Sequence, residues 1–240
     1  MLLGALLAIS GCNHSPDISA DLQPNETKSG EVKPGDIDYP LENPAATHVV
    51  EFIAIVPPTL SLRFRYGYRA SVNQEEAEMG DDTACQRQTG QDLSTPVYVD
   101  LPIPLVQTGD TYRGTVVLDR FAPGSCNWAF AGISVLSNHP RSNATPLAAV
   151  YQDDGGTAPD YHLDEWCISA PAFDPQRPEI CLSLNALQRL KIQISPDFIK
   201  TVPWTERDDG RAVHVGPNTR TITVKFHDLD AELQSRGVGK

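Results

Sequence analysis

Six side chains able to hold a cation or move a proton fall within the thirteen residues DDGGTAPDYHLDE: Asp153, Asp154, Asp160, His162, Asp164 and Glu165. Clustered carboxylates beside glycines offer oxygen ligands for calcium, or a carboxylate pair for general acid and base work. The spacing argues against an EF-hand. A loop begun at Asp154 puts Glu165 twelfth, but Gly156, Ala158 and Pro159 then stand third, fifth and sixth, where two oxygen donors and a glycine are required. The segment reads as a solvated acidic loop, and no bound metal is expected. The residues that would ligate one are Asp153, Asp154, Asp160, Asp164 and Glu165, while Asp160, His162 and Asp164 are where hydrolytic chemistry would sit.

Arg63, Arg65 and Arg69 share one face of an alternating run, and guanidinium groups pair bidentately with carboxylate or phosphate. The same arginines are equally placed to pair with Glu75, Glu76, Glu78, Asp81 and Asp82. Trp166 and Trp204 sit in loop-like sequence, where a large aromatic either anchors a partner or closes the core. These three arginines and two tryptophans are the candidate partner contacts. The chain has no G-x-S-x-G, H-E-x-x-H, P-loop or G-x-G-x-x-G motif, so no catalytic residue is assigned and no cofactor is expected.

The elements that must position these residues are short strands. The 240 residues carry 19 Lys plus Arg against 31 Asp plus Glu, a net charge of −12 with no offsetting basic stripe, which excludes nucleic acid as partner. Twenty prolines argue against a helical bundle. Leu60, Leu62, Phe64, Tyr66 and Tyr68 alternate with polar residues over nine positions, the period of a half-buried strand. Similar runs follow at 48–56, 97–105, 112–118, 128–136, 147–151, 180–184, 190–194, 211–215 and 219–226, separated by turn residues such as Pro57-Pro58, Gly109-Asp110 and Gly216-Pro217-Asn218. About ten short strands, with at most a short helix over 73–80, predict an all-β domain: an antiparallel β-sandwich, Ig-like or related, over residues 47–240. A split into two β subdomains near 152–160 is the alternative.

Cys85, Cys126, Cys167 and Cys181 contain no CxxC, and in a chain exported to an oxidising compartment four such cysteines favour two disulfides over metal ligation. Three pairings are open. The favoured one joins Cys167 to Cys181 around a loop holding Pro171, Pro175 and Pro178, and Cys85 to Cys126. Cys126, Trp128 and Phe130 share a strand face and read as core.

Residues 1–9, MLLGALLAI, are too few to span a bilayer that needs about 20 apolar residues. They have the length of a signal-peptide apolar segment. Ile9-Ser10-Gly11-Cys12 resembles the lipobox of bacterial lipoproteins, although no Lys or Arg precedes the apolar run. The resemblance implies cleavage after residue 11, acyl chains such as palmitate on Cys12, and, from Asn13, sorting to the outer membrane with the domain in the periplasm. Residues 13–46 hold five prolines and seven acids against Lys28 and Lys33, 2 − 7 = −5, and read with Cys12 as a disordered tether, 12–46. A flexible 34-residue chain spans about 30–35 Å. The function expected is non-catalytic: a lipid-anchored protein that binds an envelope protein or glycan. An immunity protein against a periplasm-delivered effector and an envelope glycan or lipid hydrolase are the alternatives.

Overall fold

The computed structural model describes residues 30–71, 85–88, 94–137, 145–147, 149–151, 159–169, 179–184, 187, 198, 200, 202 and 213–236. Their strands, in chain order, are β1 (Val49–Ile55), β2 (Leu62–Arg69), β3 (Gln86–Gln88), β4 (Ser94–Pro96), β5 (Tyr98–Pro102), β6 (Leu105–Thr108), β7 (Thr111–Val117), β8 (Ala129–Ser137), β9 (Thr145–Leu147), β10 (Ala149–Tyr151), β11 (Asp160–Ser169), β12 (Glu179–Leu182), β13 (Val213–Val215) and β14 (Thr221–Asp228). Helix α1 (Leu229–Ser235) follows β14 directly.

Period-two burial builds the sandwich. Phe64, Tyr66 and Tyr68 of β2 are buried while Arg63 and Arg69 are exposed, and Val50, Phe52 and Ala54 of β1 and Ile222, Val224 and Phe226 of β14 repeat the pattern. Phe64 then meets Phe52 and Phe226 across the two sheets, with ring centroids 5.3 and 5.5 Å apart. Truncating such a ring costs about 3–5 kcal/mol, so these three residues carry a large share of a domain's usual stability. The smaller sheet runs β5-β2-β8-β9 and is antiparallel; the larger runs β12-β11-β14-β1-β7-β6. Two-stranded pairs β3-β4 and β10-β13 complete the set among the described residues. The chain crosses from β5 to β6 at Ile103-Pro104, and this crossing explains Gly114: a Cβ there would stand 2.5 Å from the Pro104 carbonyl oxygen.

The class is the one the periodicity indicates, all-β with two packed sheets. The larger sheet, however, is mixed: β14 lies between β1 and β11 and runs parallel to both. Strands from either side of residues 152–160 therefore share one sheet and one apolar core. Both favoured disulfides are present, Cys85–Cys126 and Cys167–Cys181, the second joining residues directly opposite in the β11–β12 pair. Cys126, Trp128 and Phe130 are buried as expected. The segments 73–80 and 190–194 lie outside the described residues.

Two expectations are corrected. Within the segment 153–165, read as an acidic loop, residues from Asp160 onward belong to β11, the longest strand among the described residues. The alternation was hidden because β11 is covered on both faces along its second half: Leu163 and Cys167 face the main core, while Trp166 and Ile168 face a second cluster with Leu184, Leu187, Phe198, Val202, Leu229 and Leu233. Such a doubly covered strand reads as a continuous run rather than alternating.

The second correction concerns the tether, because residues 30–46 form a strap folded onto the sandwich. Gly30 and Val32 exchange backbone hydrogen bonds with Tyr98, adding a short parallel rung to the β5 edge, and Val32 is buried. Farther along, Tyr39 packs edge-on against Phe121, Asn43 donates its side-chain amide to the Asp119 carbonyl, and the Asp119 carboxylate accepts the N–H groups of Thr47 and His48. The strap's acids are engaged: Asp38 with Arg87, Glu42 with Arg120, Glu31 with Arg65, and Asp36 with the Lys33 N–H. Low hydrophobicity and prolines concealed this. A strap needs only a few buried side chains because its donors pair with an existing edge.

A cleft at one pole of the sandwich

Strands β1, β14 and β11 run parallel, so their C-terminal ends lie at one pole. A cleft of about 570 Å³ opens there, within the range of small-ligand sites. The Pro57-Pro58-Thr59 turn after β1, Asp110 of the two-residue β6–β7 turn, and Ala231, Glu232, Ser235 and Arg236 of α1 and its C-cap form its sides. Gly109 at φ +64° makes that turn possible, and the Val56 N–H donates to the Asp110 carbonyl, holding the two turns together. Buried Trp166, Val202, Phe226 and His227 close the bottom, with Ile55, Lys225 and Asp228 along the strand ends.

The imidazole at the bottom is fixed from two directions. Its Nε2 lies 2.7 Å from Asp164 Oδ1, and its ring stacks on Trp166 at 4.1 Å with planes 9° apart. An ionised carboxylate only accepts, so Nε2 carries the proton. Trp166 and His227 are register partners on β11 and β14, which makes the stack a direct product of strand pairing. Three of the charges around the cleft are also committed locally. Asp228 accepts the Ala231 N–H as N-cap of α1, Arg236 pairs with Glu232 at 3.2 Å, and its guanidinium lies 4.9 Å from the Phe198 ring centroid. Lys225 and Arg236 against Asp110, Asp228 and Glu232 give 2 − 3 = −1 with His227 neutral.

Strand geometry disperses the acidic constellation. Asp160, His162 and Asp164 lie on the outer face of β11, in register with Thr221, Thr223 and Lys225, whereas Glu165 turns inward and is 8% exposed. Alternation therefore prevents Asp164 and Glu165 from sharing a ligand. Among the described residues no group of three His, Cys, Asp or Glu is placed to hold a metal ion. Asp153, Asp154 and Trp204 lie outside the described residues.

Of the candidate partner contacts, Trp166 is a core residue, 2% exposed, packed on Phe198 and His227. Arg65 is bound to Asp100 at 2.8 Å, leaving Arg63 and Arg69 exposed on the outer face of the smaller sheet. That face is not the cleft. The cleft residues that sequence reasoning missed are His227, Lys225, Asp110, Glu232 and Arg236. No local spacing could reveal the central pair, because 63 residues separate Asp164 from His227.

Comparison with protein-family models, with curated proteins and with solved structures gives no match.

Proposed function

We propose that the chain is a lipid-anchored, non-catalytic binding protein of a bacterial envelope, held by acyl chains on Cys12 and receiving a segment of an envelope protein in the cleft. The observation that supports binding over turnover is the fixing of His227. Its recorded hydrogen bond goes to Asp164, its face is covered by Trp166, and no described hydroxyl or thiol bonds to its ring. Nucleophilic catalysis needs a base in reach of a nucleophile, and among the described residues none bonds to this base. The rim, with both signs of charge around apolar Ile55, Pro57 and Pro58, suits a peptide segment carrying both charges. Asn13 supports sorting to the outer membrane, with the domain in the periplasm.

The test is site-specific photocrosslinking in intact cells, with the reactive group at Thr59 or Lys225 in the cleft and at Arg63 on the other sheet. One discrete protein adduct from the cleft positions and none from Arg63 is expected. Equal labelling from all three sites would overturn the cleft reading, and an adduct of glycan would move the partner to that class. The anchor is tested apart from the cleft: Cys12→Ser must release the protein from the membrane fraction.

A hydrolytic reading draws on the same pair, with Asp164 orienting His227 as general base. It requires turnover of an envelope substrate that His227→Gln abolishes while the protein stays folded.

A further inference from the structure

We propose that the strap pole is a membrane-contact surface, at which Ile37 and Leu41 enter the interface of the bilayer holding the Cys12 lipid while the cleft faces away. This rests on the anchor read at Cys12. Among the described residues the exposed large apolar side chains are Ile37 at 97%, Leu41 at 80%, Val49 at 51% and Val106 at 72%. Three of these four lie at one pole. Ile37 and Leu41 are on the strap, and Val49 opens β1, where Thr47 and His48 are pinned to Asp119. The cleft is at the other end of the same strand, past Ile55, so the seven residues of β1 place the two features about 23 Å apart.

The chain toward Cys12 leaves from the same pole. Gly30 bonds to Tyr98, which pairs with Arg69, whereas the opposite end of β2, at Leu62, adjoins the turn that lines the cleft. Read from its composition as part of the tether, the seventeen-residue segment between Cys12 and Gly30 would span about 21–25 Å. Such a leash holds the strap against the bilayer at an effective concentration on the order of millimolar, so two apolar anchors suffice. Three of the strap's four acids, Glu31, Asp38 and Glu42, are matched by Arg65, Arg87 and Arg120, and Asp36 accepts the Lys33 N–H. The strap backbone is also already fixed by its hydrogen bonds to Tyr98, Arg120 and Ala122, so docking orders little additional chain.

The test uses the chain from Cys12 to Lys240, coupled through the Cys12 thiol to maleimide-headed lipid in phosphatidylcholine vesicles with or without brominated acyl chains. Ile37→Trp introduces the reporter at an exposed position, where the fold is not at risk. Its added emission is expected to fall about twofold in brominated vesicles, as for a side chain inserted 5–10 Å into the interface. Leu41→Asp in the same background should reverse most of that loss, and the buried Trp128 and Trp166 should not respond. An added emission that bromine leaves unchanged overturns the contact. Emission that bromine leaves unchanged but that shifts blue in whole envelopes overturns it in favour of a protein covering this pole. Lipidation is read separately from the mass of the N-terminal peptide isolated from cells, so loss of the anchor reading and loss of the contact are distinguishable.

Discussion

His227 and Asp164, on neighbouring parallel strands, share a 2.7 Å hydrogen bond at the bottom of the cleft, with the imidazole face closed by Trp166. Asp164→Ala leaves a ring that is 8% exposed without its acceptor, and the expected cost is about 1–3 kcal/mol. Asp164→Asn keeps an acceptor oxygen and should fall closer to wild type. Urea unfolding measures both. Unchanged stability in Asp164→Ala would show that the pair is not structural and would favour the hydrolytic reading.

The strap extends the described fold back to Gly30. A chain starting at Gly30 should unfold at the same midpoint as one starting at Cys12, whereas a chain starting at Thr47 loses buried Val32 and the Tyr39–Phe121 contact. Each large apolar side chain so lost is worth roughly 1.5–3 kcal/mol, so a deficit of about 3 kcal/mol or more is expected. Thermal unfolding of the three chains decides it; equal midpoints would return residues 30–46 to the tether.

The two disulfides should contribute unequally. Cys85–Cys126 closes a separation of 41 residues and Cys167–Cys181 one of 14, for which chain entropy gives about 4 and about 3 kcal/mol. Paired Cys→Ala variants, compared by denaturant unfolding under oxidising conditions, should keep that order. Loss of Cys167–Cys181 should also free β12 first, because that strand is the sheet's edge and is held by a four-residue pairing.

Asp100 gives a pH dependence of defined sign. Burial raises its carboxyl above the usual value of 3.8, outweighing the lowering effect of Arg65, while Glu31 raises it further. The stability this group contributes is complete below about pH 3.8 and is lost as pH rises through the raised folded-state value. The stability of wild type relative to Asp100→Asn should therefore fall between pH 3.5 and neutrality, roughly the range over which carboxyl groups titrate in proteins. A difference that grows in favour of wild type on going to neutral pH would mean that the Arg65 attraction outweighs desolvation.

Much of the framework is legible in the sequence because it is fixed locally. Leu62 to Tyr68 alternates with the period of a pleated strand, and Pro57-Pro58 and Gly109-Asp110 can only turn, whereas the run 97–105, one segment in sequence, is divided between β5 and β6 of different sheets. Cys167 and Cys181 are close enough in the chain for a hairpin to bring them opposite each other. The polar residues from Asp160 to Glu165 misled for a physical reason: Asp160 and His162 stay exposed, and the covered part of β11 from Leu163 to Ile168 shows no alternation, so in sequence the strand resembles a loop.

The sequence by itself determined the β class and the main turns, favoured one of three cysteine pairings that the structure then showed, and carries the motif from which a lipid anchor is proposed. Only the tertiary structure decided that β14 inserts between β1 and β11, that Asp164 meets His227, that residues 30–46 close the edge of β5, and that strap and cleft occupy opposite poles. The division follows from range. Periodicity and turn chemistry act over a few neighbouring residues, whereas parallel pairing and pole-to-pole placement join segments more than sixty residues apart, and nothing in one segment's pattern specifies its distant partner.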